Sequence, residues 1–206
     1  MTFAQLSLAA GAALAICGAA DADQLIRIPT ADLALGPKAE YKRRVDGTKE
    51  GYATLLVPAG LAYELALRLY DDEDRSNRIE GGGQFQLLPD GVITPGVSVG
   101  IWDVTNSGPR GRRAFLVVTK SLRAGQFFIR KPLERLQLTL GTGTGNFSGL
   151  FAGVRADLPG NFALVGEFDA RRLNAGVWFT PIKQVTLKAE LQNGNPYLGG
   201  DLTLRF

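Results

Sequence analysis

The chain has 206 residues with 26 Gly, one Cys and no His, which suits a single domain rich in tight turns. A net charge of +3, dispersed along the sequence, argues against nucleic acid as a partner; only the cluster at 110–113 is dense enough to attract anions. The absence of His removes Ser-His-Asp chemistry, His-based hydrolysis and most zinc sites, and no cofactor site is read from the remaining residues.

Residues 1–22 read as a leader. A Leu/Ala-rich run of signal-peptide length is followed by Ala20-Asp21-Ala22, which fits signal peptidase. The run lacks the usual basic n-region. A lipoprotein signal at Leu14-Ala15-Ile16-Cys17 and a structural N-terminal helix are the alternatives. Cys17 is the only cysteine, so a mature chain starting after residue 22 has neither an intramolecular disulfide nor a catalytic thiol. No later stretch approaches 18 consecutive apolar residues, so no mature transmembrane helix is expected.

After residue 36 the pattern has period two. In the segment 61–69, Leu61, Tyr63, Leu65, Leu67 and Leu69 share one face, while Glu64 and Arg68 share the other. Glu80, Gln84 and Gln86 face one way in the segment 79–87. Leu136, Leu138 and Leu140 oppose Arg135, Gln137 and Thr139. Leu173, Ala175, Val177 and Phe179 oppose Arg172, Asn174 and Trp178. Val185, Leu187, Ala189 and Leu191 oppose Thr186, Lys188, Glu190 and Gln192. A strand sorts such residues cleanly, whereas a helix would scatter the charges around its circumference. The spacing predicts about twelve strands over 38–45, 51–57, 61–70, 78–88, 93–103, 112–121, 133–141, 147–156, 161–169, 172–179, 183–192 and 198–206. Ten is the fallback, because the first two are the weakest. Residues 123–131 read as an irregular connection that holds a short helix or an extra strand.

The connections alternate in kind. Short proline turns fall at 57–60, 88–91, 158–161 and 180–183. Polar loops fall at 46–50, 71–77, 105–112, 141–146 and 193–196. Counting back from the C-terminus puts every proline turn at one end, as periplasmic turns and extracellular loops would be. The repeated glycines at 141–145 lack the Lys and the helix of a phosphate loop and read as a flexible hairpin. A soluble antiparallel barrel or sandwich uses the same alternation with its apolar face turned inward.

The final strand places Leu202, Leu204 and Phe206 on one face and Asp201, Thr203 and Arg205 on the other. A terminal strand of this kind resembles the end of a bacterial outer-membrane β-barrel, whose last aromatic is part of the signal read by the barrel-assembly machinery. Four pieces together resemble the YjbH-like outer-membrane β-barrel family, associated with exopolysaccharide production. They are Ile28-Pro29-Thr30-Ala31-Asp32, Gly60-Leu61-Ala62-Tyr63-Glu64-Leu65, Gly100-Ile101-Trp102-Asp103 with its following loop and strand, and the C-terminal hairpins ending in Leu204-Arg205-Phe206. The resemblance implies that this chain corresponds to one barrel module of such a protein.

The expected fold is therefore all-β, a single antiparallel up-and-down transmembrane barrel over 23–206. With the apolar face outward, the lumen collects Glu64, Arg68, Glu80, Arg135, Arg155, Glu167, Lys188, Glu190, Asp201 and Arg205. These either pair with one another and fill the barrel or line a narrow polar channel. Trp102 and Asp103, beside the loop at 105–112, form a candidate glycan contact or, alternatively, an interfacial aromatic beside a solvated loop. The acidic run at 71–74 collects divalent cations near lipopolysaccharide or is simply solvated. The expected partners are outer-membrane lipid and lipopolysaccharide, the barrel-assembly machinery and polysaccharide. The expected function is non-enzymatic assistance in exopolysaccharide export or surface handling. A general small-solute porin and a soluble periplasmic ligand-binding β-barrel remain the alternatives, with an enzyme disfavoured by the missing His and Cys.

Overall fold

The computed structural model describes residues 24–48, 50–72, 78–108, 111–124 and 132–204. The leader, Arg110, Arg205, Phe206, most of the 123–131 connection and the distal part of the acidic run lie outside the described residues.

Twelve strands follow in chain order: β1 (Lys38–Arg44), β2 (Glu50–Pro58), β3 (Tyr63–Asp72), β4 (Arg78–Leu88), β5 (Gly96–Trp102), β6 (Arg113–Arg123), β7 (Arg135–Gly143), β8 (Gly149–Leu158), β9 (Phe162–Phe168), β10 (Leu173–Ile182), β11 (Val185–Gln192) and β12 (Asn195–Thr203). Each pairs antiparallel with its sequence neighbours. β1 also pairs with β12, from Lys38↔Thr203 to Arg44↔Tyr197, and this closes the barrel. The ring has twelve strands rather than ten because the weakly patterned β1 and β2 are fully paired, from Lys38↔Leu56 to Arg43↔Gly51. One 3-10 turn, Gly145–Phe147, interrupts the β7–β8 loop.

All the proline-bearing turns share one end of the barrel with Lys38 and Thr203, called here the turn end. The opposite loop end carries the connections after β1, β3, β5, β7, β9 and β11.

Three strands depart from their expected limits by three residues: β10 runs on through Pro181 to Ile182 rather than ending at 179, past a register shift after Phe179, and β12 and β5 start elsewhere for local reasons. β12 begins at Asn195 rather than 198, because the β11–β12 link is only Asn193 and Gly194. Their φ values of 53° and 80° make the tight left-handed turn that Asn-Gly favours in hairpins. β5 begins at Gly96 rather than 93, because the chain turns back at 91–94, where the Gly91 N–H donates to the Thr94 carbonyl. Lys120 and the Ser121 N–H then bind Asp90 and pin this turn to β6.

The alternation fixes two unlike surfaces. Outward residues are apolar and exposed: Leu55, Leu65, Leu67, Leu116, Leu140, Leu164, Leu187 and Leu198 are all at least 41% accessible. Near the turn end this surface also carries aromatic pairs, Tyr63 with Phe85 and Phe162 with Phe179, at centroid distances of 4.6 and 4.7 Å. Inward residues are buried and, over β1–β4 and β10–β12, mostly polar or charged. Over β6, β8 and β9 the inner face mixes apolar Phe115, Val117, Phe151, Ala163 and Val165 with polar Arg113, Thr119, Arg155 and Glu167.

Candidate functional site: the occupied lumen

The inner wall holds its charges in a connected network. Lys188 binds Glu40 at 2.5 Å and Asp201 at 2.7 Å. Lys42 binds Glu40 at 3.2 Å and Glu190 at 2.9 Å. Glu190 also accepts from the Trp178 indole and from Gln192, each at 2.9 Å. The pairing register explains this: β11 and β12 place Lys188 two pairs along from Thr186↔Asp201 and so on the same face, and β1 brings Glu40 opposite Asp201. Across the barrel, Arg113 binds Glu80 at 2.8 Å. Each of these charges meets an opposite one, which offsets the large cost of removing it from water.

Aromatic rings extend the network. The Arg68 guanidinium lies 4.9 Å from the Tyr52 ring and 4.8 Å from the Trp102 ring. Lys188 sits 4.4 Å and Arg155 5.1 Å from the Trp178 ring. Such cation–ring contacts gain strength when desolvated.

The lumen is not empty. Residues 24–34 run through it without forming a strand, and Gln24, Leu25, Ile26, Ile28, Thr30, Ala31 and Asp32 are buried there. Their first part is a tight loop, with a bridge between Gln24 and Pro29 and the Leu25 N–H donating to the Ile28 carbonyl. Three successive backbone N–H groups, of Ile26, Arg27 and Ile28, converge on Glu167 Oε2 at 3.0, 3.0 and 3.3 Å, while Asn174 donates to Oε1. Arg27 reaches Asp169 at 2.8 Å, and Gln24 accepts from Arg68 at 2.8 Å. Toward the turn end, Ser98 and Gln86 both donate to the Ala31 carbonyl at 2.8 Å, and the Ala31 N–H donates to Thr119 at 2.9 Å. Gln84 donates to the Asp32 carbonyl, Gln137 to the Asp32 carboxyl, and the Ala34 N–H donates to Glu64 at 2.7 Å. Burial pushes the Asp32 carboxyl up to about 6. Asp90 adds to this, while Arg135, the Gln137 bond and Lys120 oppose it.

Glycines in the wall make room for the segment. A Cβ at Gly153 would overlap Leu25 Cδ1 and lie 2.9 Å from Ile28 Cδ1; one at Gly96 would lie 3.3 Å from Ala31 Cβ. The space left between the segment and Trp102, Phe115 and Leu56 is a cavity of about 10 Å³, about the size that one water needs.

Of the lumen residues expected from the sequence, Glu64, Arg68, Glu80, Glu167, Lys188, Glu190 and Asp201 are buried inside and form or touch this network. Arg135 and Arg155 are half-buried near the turn end, where both bind Asp157, at 2.6 and 2.7 Å. Trp102 faces the lumen at 7% accessibility, and its ring is covered by Arg68 rather than open at the rim. Asp103 is fully buried at φ 54° and accepts from the Ser107 and Gly108 N–H groups, so it folds the following loop. Sequence reasoning missed Lys38, Glu40, Lys42 and the entire lumen segment, while Gln137 lies on the polar face read for it. The parity of β1 would have placed Lys38, Glu40 and Lys42 on one face, but nothing local marks residues 24–34 as an occupant.

Among the described residues no group of three His, Cys, Asp or Glu is placed to hold a metal ion. A scan of family models finds no match for this chain, and searches of the curated proteins and of the solved structures find none either.

Proposed function

We propose that this chain is a non-enzymatic β-barrel of the bacterial outer membrane, closed at rest, that assists export or surface handling of an extracellular polysaccharide. The membrane part is carried by one observation: the outer surface is a continuous girdle of exposed Leu, Val, Ile and Phe, while the charges are inside. Water solvates such a surface poorly, at about 25 cal/mol per Å² of apolar area, and hydrocarbon solvates it well. A closed ring leaves no unpaired strand edge, which is the condition for a β-structure to cross a bilayer. Strands of 7–11 residues are near the length needed for a tilted crossing, and aromatic pairs at the turn end sit where interfacial girdles occur. The filled lumen favours a barrel closed at rest over a permanently open porin. The polysaccharide role is what the resemblance to the YjbH-like family implies.

Membrane fractionation with gel migration of boiled and unboiled samples tests the membrane part. The expected result is a membrane-bound protein whose unboiled form migrates differently. A soluble fraction with no heat-dependent shift would refute it. Deletion should reduce capsule or biofilm matrix, and an unchanged matrix would remove the polysaccharide role while leaving the barrel untouched.

A further inference from the structure

Residues 24–34 are the part of the described chain on which barrel closure does not depend. Every strand is hydrogen-bonded to both neighbours without them. Among the described residues no backbone-to-backbone hydrogen bond joins them to a strand. They are held by side chains that reach inward: Glu167 and Glu64 accept their N–H groups, Gln84, Gln86 and Ser98 donate to their carbonyls, and Leu25, Ile26, Ile28 and Ala31 pack into the apolar cluster with Phe115, Phe151 and Trp178. A wall of carboxyl, amide and hydroxyl groups that reads a backbone is a binding site for a short, extended polar ligand, and this segment is the ligand in place.

We infer that residues 24–34 are a tethered, displaceable plug, and that their departure opens a channel of mixed polar and apolar lining for uncharged, hydroxyl-rich solutes. This rests on the membrane reading above. On departure the wall groups exchange bonds to the plug for bonds to water, so no buried polar group is left without a partner. The ladder loses nothing. The tether stays fixed, because the Leu204 N–H donates to the Pro37 carbonyl where β1 starts. The solute class follows from the wall. It carries both signs, with Lys42 paired to Glu40 and Glu190 and Arg113 to Glu80, so neither sign of ion is favoured. The groups the plug would release are the carboxyls of Glu167, Glu64 and Asp169, the Arg68 guanidinium, and the amides and hydroxyls of Gln84, Gln86 and Ser98, a mixed donor and acceptor set that suits the hydroxyls of a sugar-like solute.

A reversible lock tests this in the full chain. Cβ atoms at positions 31 and 96 would lie 3.3 Å apart, close to the ~3.5–4.5 Å that a disulfide requires. Ala31→Cys/Gly96→Cys, with Cys17→Ser, is placed in phospholipid vesicles, and entry of the neutral trisaccharide raffinose is followed by osmotic swelling. Gly153→Leu, which fills the notch occupied by Leu25, is measured beside it. Heat-dependent gel migration confirms that each variant is a folded, inserted barrel. The inference expects raffinose entry when the lock is reduced, its loss to the level of protein-free vesicles when oxidised, and faster entry for Gly153→Leu. Folded, inserted barrels that admit no raffinose, or admit it equally whether locked or not, would overturn the plug while leaving the membrane reading intact. A protein that does not insert at all would overturn both.

Discussion

Glu167 and Asp32 hold the two ends of the lumen segment by different chemistry. Glu167 Oε2 gathers three successive N–H groups, so truncation strands three donors in a site closed to water. Hydrogen bonds of this kind contribute about 1–3 kcal/mol when the loss leaves a buried group unpaired. Glu167→Ala should therefore accelerate amide exchange at Ile26, Arg27 and Ile28 by more than tenfold, about 1.4 kcal/mol, while strand amides stay protected. Unchanged exchange at these three would show that the contact holds nothing. Asp32 lies outside the strands, and its acid form is favoured by burial, with a pKa raised to about 6. An unfolded Asp titrates near 3.9, so the folded chain binds this proton more tightly than the unfolded chain does. The resulting stabilisation is complete below about pH 4 and is lost as pH rises through about 6. Unfolding measured across pH 4 to 8 should show the wild type losing stability relative to Asp32→Asn over that window. A constant gap between the two would contradict it.

At the scale of the element, legibility followed how different the two faces of a strand are. β3 and β11 alternate apolar with charged residues, and their facing could be read directly, although each starts two residues later than the pattern suggests. β6 runs Ala114-Phe115-Leu116-Val117-Val118, apolar on both faces, so its pattern gives a strand but not a side. The apolar patch inside the lumen was hidden for that reason. The start of β12 was misplaced because Asn193-Gly194-Asn195-Pro196 looks like a four-residue loop, although Asn-Gly alone completes the turn and Pro196 opens the strand, a position where its missing N–H is tolerated. Facing also sets a mutational contrast. Leu67 is in the middle of β3 and 41% accessible on the outer surface; Leu61 is 73% accessible in the turn before it. In vesicles Leu67→Arg should cost about 2–4 kcal/mol of folding stability, against about 0–1 for Leu61→Arg at the rim. Equal costs, measured by equilibrium unfolding from the bilayer, would contradict the outward assignment of the apolar face.

For the whole molecule, the period-two pattern carried the ring, and the lumen segment lay beyond it. Ile28-Pro29-Thr30-Ala31-Asp32 has no periodicity, and its partners lie far along the chain: Thr119 is 88 residues from Ala31, and Glu167 is 139 from Ile28. Only closure of the barrel brings them together, so no local signal could announce the occupant. Closure also produces the inside-out arrangement on which the proposed function depends, with paired charges within and exposed apolar side chains outside. The most direct test of that arrangement is the behaviour of the purified protein when detergent is removed and sedimentation is followed in plain buffer. An apolar girdle that requires hydrocarbon predicts aggregation without detergent or lipid, and recovery as a discrete particle when either is restored. A stable, monodisperse monomer in buffer alone would contradict it.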